Sequence, residues 1–185
     1  MPAPLPWERL TSERLQDCRV FRVERVIARS PNDGAEHDFF CIDSAEWVNI
    51  VAVTRDEKLV MVRQFRHGSE TLTLEIPGGM VDPGEAPKDT AARELLEETG
   101  YHAESVLPVG AVNPNPALFR NRVHTYLAER CVKVADVQNS GAEETVVELV
   151  RIADLPALVQ SGAIDHALVL AGLYQWELLR RRGGR

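Results

Sequence analysis

A layered α/β fold, with a mixed sheet covered by helices on both faces, is predicted for this chain from three observations. Short runs with strand-like alternation stand before and after one sharply bounded helical segment, and two further helical segments close the sequence. Of the 185 residues, 44% are hydrophobic, enough for one main core with a small appendage.

The first strands are read at residues 19–29 and 36–43, where Phe21 and Val23 are opposed to Arg22 and Glu24 and the turn-rich Ser30-Pro31-Asn32-Asp33-Gly34 joins the two runs. They predict a hairpin. So small a sheet buries little apolar surface, so residues 1–45 are expected to form a small N-terminal β region packed on the main domain, residues 46–185, or on a second subunit. A homodimer is the expectation, with or without exchange of its N-terminal strands.

Val48 to Val53, Leu59 to Phe65 and Thr71 to Ile76 follow as strands, the first two joined by the charged turn Thr54-Arg55-Asp56-Glu57-Lys58. They lead into a glycine turn at residues 78–79. A helix is predicted from about Ala86 to Thr99, because Pro87 suits a first turn and Gly100 a left-handed cap. Ala92, Leu95, Leu96 and Thr99 form its expected buried stripe, and Glu94, Glu97 and Glu98 gather on another, outward face at i, i+3 and i+4. Val109 to Val112, Val123 to Leu127 and Thr145 to Ile152 read as further strands. Asp154 and Asp165 are the expected N-caps of the two closing helices. In the last helix Leu168, Ala171, Gln175 and Leu178 trace a stripe, and Arg180 to Arg182 suit a helix C-terminus rather than a nucleic-acid site. There is no internal repeat and no low-complexity segment.

Like charges at helical spacing cost roughly 0.2–0.5 kcal/mol per pair, so stability alone would have interleaved lysine among the three glutamates. A divalent cation removes the penalty. Hard cations such as Mg²⁺ take carboxylate oxygens, keep several waters and share their coordination sphere with substrate phosphates. The plain alternative for Glu97 and Glu98 is a solvated acidic helix face.

The stretch from Gly79 to Tyr101 resembles the Nudix box, G-x5-E-x7-R-E-U-x-E-E-x-G-U with U apolar. Gly79, Glu85, Arg93, Glu94, Leu95, Glu97, Glu98 and Gly100 fill its positions, and Tyr101 is a bulky choice at the last. The resemblance implies an α/β/α sandwich and an enzyme that splits a nucleoside diphosphate joined to a further group, by attack of a metal-activated water on phosphorus. The match makes Glu94 and Glu98 the principal metal ligands, with Glu97 beside them and the carbonyl of Gly78 completing the shell. Mg²⁺ is the expected cofactor and Mn²⁺ a possible substitute. Arg93 is expected to orient the acids, and Glu85 to pair with Arg93 or to favour the positive end of the helix dipole.

Outside the box, Arg63-Gln64-Phe65-Arg66, then Leu74-Glu75-Ile76-Pro77-Gly78-Gly79 and then Pro116 are similar to ADP-ribose pyrophosphatases. The similarity runs from Arg19 to Trp176. Arg63 and Arg66 are read either as a guanidinium pair gripping the diphosphate or as strand-end arginines in water. Glu75 would hold a sugar hydroxyl or another substrate group. Trp47 would stack a base, or belong to the core. The loop Asn113 to Arg122 carries Arg120 and Arg122, able to reach phosphate or sugar, on a stretch stiffened by two prolines. In relatives a late acidic loop supplies a glutamate that binds or deprotonates the water. Glu144, with Glu143 next to it, stands in that place here, and Thr145 replaces a third acid common in relatives.

The net charge of −7 excludes broad binding of nucleic acid or anionic membrane, while local arginines still suit a small phosphorylated ligand. Cys18, Cys41 and Cys131 are widely spaced and read as buried free thiols. The N-terminus has no basic region followed by an apolar run, and the five histidines are scattered, so a cytoplasmic enzyme without histidine ligands is expected. The leading expectation is hydrolysis of ADP-ribose or a related nucleoside diphosphate sugar to a nucleoside monophosphate and a sugar phosphate. GDP-mannose, or a broad range of such sugars, competes with it because Asn113-Pro114-Asn115-Pro116 departs from the commonest ADP-ribose pattern. A non-catalytic nucleotide sensor is the alternative of another class, and an mRNA-cap or nucleoside triphosphate hydrolase ranks third.

Overall fold

The computed structural model describes residues 3–139 and 144–183. Its contacts divide the chain into two compact units, Met1–Ala45 with Asn113–Asn121, and Glu46–Val112 with Arg122–Arg185. The Asn-Pro-Asn-Pro loop thus belongs to the smaller unit.

The smaller unit is an antiparallel sheet in the order β1 (Glu8–Asp17), β2 (Phe21–Arg29) and β3 (Glu36–Ser44). It has three strands where a hairpin was expected. The strand that pattern reading missed, β1, carries only Leu10 and Leu15 as aliphatics and is exposed at nine of its ten residues, so no apolar alternation marks it. Ladder bonds and cross-strand ion pairs hold the sheet, among them Arg25 to Asp38 at 2.6 Å and Arg29 to Glu8 at 3.0 Å. Phe119 forms a bridge with Ile42, and Arg120 pairs with Glu24 at 2.5 Å.

The larger unit holds, among the described residues, an eight-stranded mixed sheet. Its strands are β4 (Trp47–Thr54), β5 (Lys58–Arg66), β6 (Thr71–Glu75), β7 (Gly78–Met80), β8 (Tyr101–His102), β9 (Val106–Val112), β10 (Val123–Lys133) and β11 (Thr145–Arg151). Strands β4 and β10 run parallel, and the other pairs are antiparallel. Alternate residues of β4 feed two cores. Val48, Ile50 and Ala52 pack with Ala91 and Leu95 of α1 (Pro87–Thr99), while Val51 packs with Val169, Leu173 and Trp176 of α3 (Ala167–Gly183). Helices therefore cover both faces, and the unit is the α/β/α sandwich that the resemblance implied.

Strands β4 and β5 pair only at Ala52–Val60 and Val53–Leu59 and then part company. Into the gap come β6, paired with β5, and β7, paired with β4, which brings the glycine turn to the first residues of β4.

Helix α1 begins with Pro87 in its first turn and ends at Gly100, whose φ of 72° is left-handed and whose N–H donates to Leu96 O. Its buried residues are Thr90, Ala91, Leu95, Glu98 and Thr99; Ala92 is exposed and Leu96 only half-buried, so the stripe is rotated from the expected one. The last helix differs in the same way, because Val169, Leu173 and Trp176 are buried while Leu178 is 39% exposed. His166 Nδ1 accepts from the amide of Leu168 at 3.2 Å, the place expected for Asp165. Asp154 makes no cap bond to α2 (Leu155–Gln160) and takes a guanidinium fork from Arg151 instead. Apolar periodicity alone did not settle which side of either helix the sheet would cover.

Candidate active site

Helix α1 carries Arg93, Glu94, Glu97 and Glu98, and the sheet holds the Gly78–Gly79 turn against them. Glu98 is 8% exposed, contrary to the expectation that all three acids face outward. Its Oε2 accepts the Gly78 amide at 3.0 Å. That bond turns a glutamate of the buried face toward the turn. A Cβ at Gly79 would collide with the Glu94 carboxylate, and one at Gly78 with the carbonyl of Val48. Both glycines are required by close approach rather than by backbone conformation.

Arg93 ties the remaining acids together. It forks onto Glu85, with Nε to Oε1 at 3.1 Å and Nη2 to Oε2 at 3.0 Å, and its Nη1 reaches Glu94 at 2.9 Å and Glu97 at 3.0 Å. The helix thus meets the repulsion of closely spaced glutamates with a guanidinium. Hydrogen bonds from Arg93 first and Thr90 second lower the Glu85 carboxyl to about 2, and the bonds to Glu85 raise the Arg93 guanidinium well above its ordinary range.

The oxygens of Glu94 and Glu98 beside the turn are hard donors, a set that fits a hard divalent cation. Among the described residues no three His, Cys, Asp or Glu groups are gathered into a cage of their own. Two carboxylates leave room in an octahedral shell for water, a backbone carbonyl and substrate phosphate.

The arginines expected to grip the diphosphate together leave opposite faces of the sheet. They are three residues apart in a stretch of β5 that pairs with β6 without a register shift. Arg63, on the face of α3, forks onto Glu148 of β11 at 3.1 and 2.7 Å. On the face of α1, Arg66 forks onto Glu75 at 2.8 and 2.7 Å, and the hydroxyl of Thr73 adds a third bond at 2.6 Å. Glu75 is 3% exposed; burial pushes its carboxyl up, but the Arg66 fork and Thr73 outweigh it and leave the group below its ordinary value.

Trp47 is half-buried at the head of β4, opposite Met80 and Val123, and its amide donates to Arg122 O at 2.9 Å. Arg120 lies in the smaller unit, on Glu24, which also accepts the Ser12 hydroxyl. Glu144 is exposed just before β11, and Glu143 lies outside the described residues. Two polar residues that were given no role in the site from sequence bear on it. Asn49 breaks the apolar run of β4 and donates to Leu168 O at 2.9 Å. Thr145 donates to the carbonyl of Glu98 at 3.0 Å. Asn49 was visible as the polar interruption of Val48 to Val53; Thr145 was visible only as the replacement of an acid common in relatives, and nothing local marked its bond to Glu98.

Comparison with known proteins agrees with this geometry. The chain is 38% identical over 122 residues to an "ADP-ribose pyrophosphatase" of Bacillus subtilis (strain 168), a match spanning 65% of each chain and so just under two thirds of that relative's length. It is 33% identical over 129 residues to a "Methanol dehydrogenase activator" of Bacillus methanolicus, covering 69% of this chain and 70% of the relative. Among solved structures, one described as "Crystal structure of ADP compounds hydrolase" superposes with a TM-score of 0.87 over the whole of both chains at 22% identity, a likeness of fold. Residues 44–173 match the NUDIX domain, and with the box from Gly79 to Tyr101 filled in sequence and folded so that its glycine turn meets its glutamates, the chain belongs to the NUDIX domain family.

Proposed function

We propose that this chain hydrolyses the diphosphate bond of ADP-ribose or a related nucleoside diphosphate sugar. The observation that carries the reading is the meeting of Glu94 and Glu98 at the Gly78–Gly79 turn. Similarity to the Bacillus subtilis pyrophosphatase supports the substrate class. In the reaction the oxygen of water bonds to one phosphorus and the bridging P–O bond breaks, its electron pair leaving with the departing phosphate. From ADP-ribose the products are AMP and ribose 5-phosphate, and the proton of the water passes to a carboxylate and then to solvent.

Glu94 and Glu98, with Glu97 beside them and the Gly78 carbonyl, would hold the cation, Mg²⁺ or Mn²⁺. When bound it offsets diphosphate charge and lowers the pKa of a water. Arg93 orients the acids. Glu144, or Glu143 next to it, takes the proton. Arg66 and Glu75, locked as a pair on the face of α1, and Trp47 are the substrate contacts of this reading, while Arg120 is held on Glu24 in the smaller unit. Arg63 serves it only through its pair with Glu148.

A homodimer belongs to the same proposal. In the smaller unit Trp7, Leu15, Val20, Phe39 and Phe40 are each more than 40% exposed, an apolar surface that a sheet of this size does not bury by itself. Three free cysteines, of which Cys131 is buried, Cys41 half-buried and Cys18 exposed rather than all buried as expected, suit a reducing compartment, and the cytoplasm is the proposed location; no helix among the described residues is long and apolar enough to cross a membrane.

The test is phosphate release, coupled to phosphatase, from ADP-ribose, ADP-glucose, GDP-mannose, UDP-glucose and dNTPs with Mg²⁺ or Mn²⁺. Turnover of nucleotide sugars is expected, to be abolished by EDTA and restored by either cation. A preference for dNTPs would overturn it. The Bacillus methanolicus relative favours a second reading, a regulator of a partner enzyme; absence of turnover on the whole panel would select it.

A further inference from the structure

We propose that Thr145 is a positioning residue that holds the backbone beside Glu144 to the backbone of Glu98, an inference that rests on the hydrolase reading above. A helix leaves its last carbonyls without partners inside the helix. In α1 the carbonyl of Glu97 accepts the Gln138 amide at 2.8 Å, that of Glu98 the Thr145 hydroxyl at 3.0 Å, and the cap Gly100 takes Val134 and Ala135 at 2.8 and 3.1 Å. The end of the helix that bears the box acids is therefore closed by residues between Val134 and Thr145.

Thr145 is 5% exposed and lies opposite Gln64 at the start of β11. Its amide, which belongs to the Glu144–Thr145 peptide, donates to Asn139 Oδ1 at 2.9 Å, and its carbonyl accepts Asn139 Nδ2 at 3.3 Å. The hydroxyl also lies 3.0 Å from Asn139 Oδ1. Its single proton is therefore shared between that oxygen and the carbonyl of Glu98, whereas the Asn139 oxygen also has the amide as a donor. A residue needed only to begin a strand would be served by valine, which β11 uses at its next two positions. The hydroxyl is the part of Thr145 that valine lacks, and it joins the residue that follows the proposed base to the helix carrying the proposed cation ligands.

Thr145→Val removes that proton donor at nearly constant shape, and Thr145→Ser keeps it. Outer partners of a metal site change affinity or activity by about 10–100-fold when lost. The expected result is a kcat for ADP-ribose at least about 10-fold lower in Thr145→Val, a KM within about 2-fold of wild type, and recovery of most of kcat in Thr145→Ser. Mn²⁺ binding to the substrate-free protein, read by electron paramagnetic resonance, is expected to weaken in Thr145→Val and not in Thr145→Ser. Wild-type kcat and Mn²⁺ affinity in Thr145→Val, or equal losses in both variants, would overturn the proposal. Should Thr145→Val not fold, Thr145→Ala against Thr145→Ser reads the same contrast. If the wild type turns over no nucleotide sugar, the hydrolase reading fails, and the Mn²⁺ comparison still decides the role of Thr145.

Discussion

A methyl group at position 79 would occupy the place of the Glu94 carboxylate. Since Gly79 does not sit in the left-handed region, Gly79→Ala costs the backbone little and the damage falls on Glu94. The expected outcome is a folded protein whose kcat falls at least about 10-fold and whose cation affinity weakens, measured by turnover and calorimetric titration. Glu98→Gln keeps the Gly78 bond as an acceptor and removes the charge, so loss of turnover without loss of the melting transition is expected. Glu85 gives a pH prediction. Its folded pKa, about 2, lies below the ordinary 4.5, so its stabilisation is fully present above about 4.5 and is lost as pH falls toward 2. Acid unfolding of Glu85→Gln should show a shallower pH dependence across that window, followed by circular dichroism. Residue types and spacing were legible here because the box is a local pattern. The inward turn of Glu98 was not, since it depends on an amide twenty residues away.

Between β5 and β6, Arg66 and Glu75 stand as a forked pair with only Glu75 buried. Arg66→Ala leaves that carboxylate with one hydroxyl partner, at an expected cost of about 1–3 kcal/mol in urea unfolding. The sign of the pH effect follows from the lowered carboxyl: the pair stabilises above the ordinary glutamate value and is lost as pH falls through the folded one, so the variant should lose part of that acid-side dependence. The element itself was legible, for Thr71 to Ile76 announces a strand within one residue of β6. Its ion pair was not, because spacing along β5 does not say which strand will lie beside it. Helix α1 was readable end to end from Pro87 and Gly100, yet its buried side was not, since Glu98 is met by partners from β7 and β11 that periodicity does not see.

At the level of the molecule, one unit has a two-sided core and the other has little core of its own; Val26 and Ala28 are the buried apolar residues of its three strands. Sedimentation at the mass of two chains and a melting temperature that rises with protein concentration are the expected outcome of the dimer proposal. A single-chain mass at every concentration would remove it. Charge agrees with the function proposed, since an overall −7 leaves binding of phosphate to local guanidinium groups and a cation.

The sequence by itself determined the family motif, the α1 boundaries, the layered class and the acids available to a cation, because each depends on spacing within a few turns or on the two-residue period of a strand. Tertiary structure alone decided that Arg63 and Arg66 part to opposite faces, that Arg66 locks onto Glu75, that Glu98 turns inward to Gly78, and that Thr145 closes the helix end. These contacts join residues distant in the chain, and only strand register and the packing of helix on sheet bring them within the 3 Å at which a hydrogen bond forms.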